Sequence, residues 1–259
     1  MSSHSSKEKR ATDFMQVVEG SRNCDHAVIA FGGIQSNLGG IEFWEFATTL
    51  LTGTSQQPKH PPEVTQRHVA FVRESPPHWY NNTEQLPLEQ FVTSQIAERR
   101  LISTLGNSMG GYAAILYSLL LPNIRRSISF CPQYSVRPEY CPFETRWQEK
   151  IGAIASWRFD TCLPLSSNHP RQDLTHFIIC GTDVSEDVRH AEMIVAKAAN
   201  PAIAIMIAGC GHEVARHLKS SYTLTPLLDL LFGKWTDQVS IGNFMKERNV
   251  QCEFVTNRN

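Results

Sequence analysis

Between residues 100 and 121 the chain runs from an apolar, strand-like segment, RLISTL, through Gly106-Asn107-Ser108-Met109-Gly110-Gly111, directly into a helix-forming segment, YAAILYSLLL. This stretch restricts the fold more than any other. A strand that turns into a helix with no loop between them leaves one residue on a sharp, strained corner. The neighbours two positions to either side must then be small, and Gly106 and Gly110 meet that need, while Gly111 lets the helix pack close to the sheet. Ser108 occupies the corner. Its hydroxyl is lifted out of the sheet edge, over the free N–H groups of a helix N-terminus. Ser108 is therefore the candidate nucleophile, and the backbone N–H of Met109 is a candidate donor to an oxyanion.

The remainder of the chain repeats the strand–helix alternation. The runs AVIAF (27–31), HVAFVR (68–73), RLISTLG (100–106), SISFC (127–131), HFIIC (176–180) and AIAIMIA (202–208) are almost continuously apolar. Continuous rather than alternating hydrophobicity marks strands buried on both faces of a parallel sheet. Helical periodicity fills the intervals 88–100, 110–121 and 186–199. The expected class is α/β, a mostly parallel sheet flanked by helices. The rhythm breaks between SISFC and HFIIC, where about 40 residues carry Pro132, Pro138, Pro142, Pro164 and Pro170; a loop that long predicts a lid insertion at about 133–173. Residues 1–20 read as a flexible tail ahead of one domain spanning 21–259, and residues 235–259 as a short helix followed by a tail.

Composition narrows the partners. A formal net charge of −1, with scattered basic residues, gives no footprint for nucleic acid. No apolar run reaches the roughly 18 residues a membrane span needs. The polar N-terminus lacks an apolar signal core, and the seven cysteines form no CxxC pair, so reduced thiols and a cytoplasmic location are expected. The sequence sets no oligomeric state.

A serine hydroxyl needs a base, and among ten histidines position selects His212. It follows the last apolar run in IAIMIAGCGHEVARHL, where Gly209 and Gly211 allow a turn at the sheet edge. His212-Glu213 does not begin a zinc-protease H-E-x-x-H, because Arg216 stands where the second histidine belongs and His217 comes one residue late. No metal and no cofactor are expected. The acid belongs after the run HFIICG. Asp183 is preferred there, and Asp187 is the alternative, read as a first-turn acid of the next helix.

The first apolar run ends in Phe31-Gly32-Gly33-Ile34. A glycine pair at a strand end lets backbone approach a ligand, and Gly33 is the expected second oxyanion donor, with Gly32 or Ile34 as alternatives. The pair is too far from Gly39-Gly40 to make a dinucleotide-binding G-x-G-x-x-G. For substrate contact, Arg73, Trp79 and Tyr80 follow a strand end, where binding crevices form. Trp147, Trp157, Arg146, Arg158 and Arg171 in the insertion suggest an amphipathic small molecule or acyl group.

Taken together, GNSMGG, the early FGG, the post-strand GTD and the late GCGHE resemble the α/β-hydrolase superfamily over residues 25 to 233. The resemblance implies a sheet of about eight strands and a triad of Ser108, Asp183 and His212. It implies a serine hydrolase that cleaves an ester or thioester through an acyl-enzyme. Two other functions fit the same residues: an acyltransferase using the same triad, and a catalytically silent binding module on the hydrolase scaffold.

Overall fold

The computed structural model describes residues 15–20, 24–34, 46–51, 67–98, 100–164, 171, 173–233 and 236–257. Eight strands form one sheet in the order β1-β3-β2-β4-β5-β6-β7-β8. The six apolar runs are its six central strands: β2 (His26–Phe31), β3 (His68–Val72), β4 (Leu101–Asn107), β5 (Ile124–Phe130), β6 (Thr175–Gly181) and β7 (Ala202–Ile207). These six pair with one another in parallel throughout. Helices cover both faces, so Val28, Ile29, Ile102, Leu105, Ile128, Phe177 and Ile205 are fully buried, as a two-sided strand requires.

Two edge strands correct the sequence reading. Residues 15–18, assigned above to the flexible tail, form β1 (Met15–Val18), antiparallel to β3. The assigned C-terminal tail contains β8 (Cys252–Thr256), antiparallel to β7, after a helix at Gln238–Glu247. Edge strands are short and only half buried, so neither carries a continuous apolar run.

The helices that matter for the site are α3 (Met109–Leu120), α5 (Ser185–Lys197) and α6 (Val214–Ser220), numbered after α1 (Ala47–Leu51) and α2 (Gln85–Ala97) and a one-turn α4 (Gln148–Gly152). α3 is buried along almost its whole length against β4 and β5. The segment between β5 and β6 is mostly turns, with α4 its only helix among the described residues. It is anchored by Asn81, whose side-chain oxygen accepts from the backbone N–H groups of Arg158 (2.7 Å) and Phe159 (2.9 Å). Residues 165–170 and 172 of the expected lid lie outside the described residues.

Candidate active site

Ser108 sits where β4 meets α3, at φ 55° and ψ −121°. A non-glycine residue holds such a conformation only when its surroundings fix it. Here the Ser108 N–H donates to the Phe130 carbonyl (2.8 Å), and the Ser108 carbonyl accepts from the N–H of Tyr112 (3.0 Å). The flanking glycines are required by contact. A Cβ on Gly106 would stand 2.1 Å from the Gly110 carbonyl oxygen, and one on Gly110 would stand 2.1 Å from that of Phe31. The β2 and β4 strand ends and the first turn of α3 thus meet backbone to backbone.

His212 lies beyond β7, after a turn in which Gly209 takes φ +72°. Its Nε2 is 3.0 Å from Ser108 Oγ, and its Nδ1 is 2.7 Å from Asp187 Oδ2. An ionised carboxylate only accepts, so Nδ1 carries the proton and donates. Nε2 is then free to accept the Ser108 hydroxyl proton.

The acid beside His212 is therefore Asp187 and not Asp183. Asp183 is exposed; its backbone N–H donates to the Cys210 carbonyl (3.1 Å), which holds the chain in a turn at the end of β6. Asp187 lies in the first turn of α5, and its side chain is fully buried. The sequence reading of a helix-opening acid was compatible with this, because the first turn of α5 faces His212. Burial alone would raise the Asp187 carboxyl, but the hydrogen bond and charge of His212, with Arg146, outweigh it and hold Asp187 below the ordinary carboxylate value.

Arg146 belongs to a second chain of contacts. Its guanidinium lies 2.9 Å from Asp187 Oδ1 and grips Glu144 at 2.6 and 3.0 Å. Glu144 in turn pairs with His190 Nε2 at 3.0 Å. His190 Nδ1 accepts the Tyr134 N–H (3.2 Å), so its Nε2 carries the proton and donates to Glu144. Burial would raise Glu144; the bonds from His190 and Arg146 reverse that and bring it down to about 2. Cys131 completes the surroundings of Asp187. Burial, and then the charge of Asp187, push its thiol well above the usual range, so it stays protonated. Cys131, Asp187 and His212 bring donor atoms within 4.8 Å of one another and are the one such group with metal-binding chemistry among the described residues. As arranged, His212 and Asp187 are already paired.

A cleft of about 240 Å³ opens over Ser108. Gly33, Ile34, Phe46, Trp147, Arg216 and Lys219 line it together with Ser108 and His212. Gly33 thus lines the same cleft as the serine, and Met109 is the first residue of α3, where N–H groups have no partner within the helix. The expected substrate residues fare differently. Trp79 and Tyr80 are buried and do not line the cleft; Arg73 does not line it either. Tyr80 donates from its hydroxyl to the Gly32 carbonyl (2.7 Å), bracing the glycine loop from behind. Trp79 donates to Gln133. Their loop is tight, with φ 51° and 58° at the two aromatic residues, and the Glu74 carboxylate accepts from the N–H groups of His78 and Tyr80 (2.6 and 2.7 Å). Of the five insertion residues named above, Trp147 alone lines the cleft. Arg171 instead donates to carbonyls of Ser118, Leu121 and Ile124.

Sequence reasoning missed Gln133, Glu144 and His190. They lie in no motif and meet the site only through tertiary packing. The available signal was weak: a polar residue, Gln133, two positions after the apolar run of β5.

No protein-family profile matches the chain, and no curated protein matches it in sequence. Solved structures do match in fold. The capsule O-acetyltransferase of Neisseria meningitidis serogroup A is 15% identical with a TM-score of 0.54, over 83% of this chain and 92% of that one. A 2,6-dihydroxy-pseudo-oxynicotine hydrolase is 14% identical with a TM-score of 0.52, over 84% of this chain and 62% of that one. The parallel sheet, the strand–serine–helix corner and these likenesses define the α/β-hydrolase fold. No helix among the described residues is long and apolar enough to cross a membrane.

Proposed function

We propose that the protein is a serine hydrolase that cleaves an ester or thioester through an acyl-enzyme on Ser108. The observation that carries this reading is the continuous line from Ser108 Oγ to His212 (3.0 Å) and from His212 to Asp187 (2.7 Å), with Ser108 and His212 lining an open cleft. His212 Nε2 takes the hydroxyl proton as Oγ bonds to the acyl carbon. The carbonyl electrons move onto its oxygen, for which the backbone N–H groups of Met109 and Gly33 are the donors. The C–O or C–S bond then breaks, and the leaving group receives the proton from His212. Water, deprotonated by His212, attacks the acyl carbon, and Oγ departs and recovers its proton. Asp187 accepts from Nδ1 throughout and stabilises the imidazolium.

The cleft volume suits a small-molecule ester or a short acyl group. Transfer to an alcohol or amine would share the first half of this sequence and differ only in what attacks the acyl-enzyme. A fluorophosphonate probe should label the wild type and leave Ser108→Ala unlabelled, and turnover of p-nitrophenyl acetate should fall about 10⁴- to 10⁶-fold. Equal labelling of both would overturn the proposal. Product analysis with and without alcohol and amine acceptors separates hydrolysis from transfer.

A further inference from the structure

Resting on the reading of Ser108 as nucleophile, we infer that the Gln133 side chain is a catalytic hydrogen-bond donor to the nucleophile oxygen itself, aimed by Trp79. Gln133 is completely buried and lies just beyond β5, in the turn Cys131-Pro132-Gln133. Its Nε2 stands 3.3 Å from Ser108 Oγ and 3.2 Å from the Cys131 carbonyl oxygen. Its Oε1 stands 3.2 Å from Trp79 Nε1.

These three contacts fix which end of the amide faces the serine. An indole N–H can only donate and a backbone carbonyl can only accept. Turning the amide over would set donor against donor at Trp79 and acceptor against acceptor at Cys131. The observed orientation satisfies both, and it leaves the second hydrogen of Nε2 for Ser108 Oγ. The serine oxygen therefore accepts from Gln133 while giving its own proton to His212 Nε2 (3.0 Å).

The chemistry follows from where charge develops. As the proton passes to His212, Oγ becomes increasingly anionic until its bond to the acyl carbon forms. When the acyl-enzyme breaks down, Oγ leaves with the same charge before His212 returns the proton. A donor fixed on Oγ lowers both barriers. The backbone N–H groups of Met109 and Gly33 serve a different atom, the former carbonyl oxygen. The apparatus behind Gln133 is extensive. Trp79 sits in a loop whose N–H groups converge on Glu74, so the indole is rigidly presented. Trp79 touches no reacting atom and is a positioning residue.

The test uses four variants, each followed by rates of fluorophosphonate labelling and of p-nitrophenyl acetate turnover. Gln133→Met keeps the side chain's length and removes the donor. It should slow labelling, and both the burst and steady-state phases of turnover, by about 10- to 100-fold with KM within about twofold. Gln133→Glu still accepts from Trp79 but faces Oγ with a carboxylate. It should be far slower than wild type at pH 8 and recover toward it as pH falls, since burial favours the protonated carboxyl, which can donate. That variant shows that charge at this position acts on Oγ; the loss of rate at unchanged KM in Gln133→Met and Trp79→Phe is the reading that a merely structural role would not produce. Trp79→Phe frees the amide to rotate and should lower kcat several-fold at unchanged KM. Ser108→Ala separates the two levels of failure. If it stays unlabelled while Gln133→Met labels at the wild-type rate and Gln133→Glu shows no pH-dependent deficit, the role of Gln133 is overturned and the serine reading stands. If Ser108→Ala labels like wild type, both fall.

Discussion

The two ends of the Ser108–His212–Asp187 line are built in opposite ways. The serine end is local. Gly106, Ser108 and Gly110 lie within five residues, and the strain at φ 55° is imposed by the strand before and the helix after. The acid end is assembled. Asp187 comes from α5, Arg146 and Glu144 from the β5–β6 segment, His190 from one turn further along α5, and Cys131 from the end of β5. Short-range geometry can specify a nucleophile in one motif. A buried carboxylate needs partners from wherever the fold can bring them.

This comparison gives the assembled end the greater exposure to error, and substitutions can break or sharpen it. The largest effect should come from the acid itself. Asp187→Asn leaves His212 without an acceptor at Nδ1 and should lower kcat about 10³- to 10⁴-fold, whereas Asp183→Asn should stay within twofold of wild type in the same p-nitrophenyl acetate assay. A damaging Asp183→Asn beside a benign Asp187→Asn would break the comparison outright.

Next in size is Arg146→Met. Removing one partner of a fully buried pair typically costs about 3–5 kcal/mol; because a quarter of the Arg146 side chain is exposed, about 2 kcal/mol is expected in urea unfolding at pH 7. The pH dependence has a definite sign. In the folded state Glu144 lies at about 2 and Asp187 below its ordinary value. Their contribution to stability is fully present above the ordinary carboxylate range and is lost as pH falls through those folded-state values. Without Arg146 both rise, so the acid-unfolding midpoint should move to higher pH. An unchanged midpoint would mean that Arg146 does not hold these carboxylates down.

The smallest effect probes a distant brace of the serine end. Tyr80→Phe removes the hydrogen bond to the Gly32 carbonyl and should cost about 1 kcal/mol, a fall in melting temperature of about 2–4 °C. KM should not change, since Tyr80 is buried behind the cleft wall; a large rise in KM would restore it as a substrate contact.

The same division explains what was legible in the sequence. The six central strands could be read because burial on both faces makes them continuously apolar, and β1 and β8 could not because an edge strand needs no such run. Ser108 and His212 could be read because strand–turn signals precede each. Asp183 was preferred because proximity to the strand end looked like proximity to the site. In the fold, the turn after β6 directs residue 183 to the surface and brings the first turn of α5 inward. Trp79 and Tyr80 were taken for substrate contacts because aromatic residues in a post-strand loop look alike whether they face a ligand or the protein interior. Glu144 left no trace and Gln133 only its place just past an apolar run, since a single polar residue in a loop carries no periodicity from which its partner could be inferred.

The turn at residues 131–135 gives the site a common reference point. Through Gln133 it reaches the serine, through Cys131 the environment of Asp187, and through the N–H of Tyr134 the histidine at the far end of the ionic chain. This one segment therefore touches both ends of the Ser108–His212–Asp187 line. Their alignment depends on the length of chain between these contacts. A one-residue insertion between Cys131 and Tyr134 would keep every side chain of the site and lose their registration.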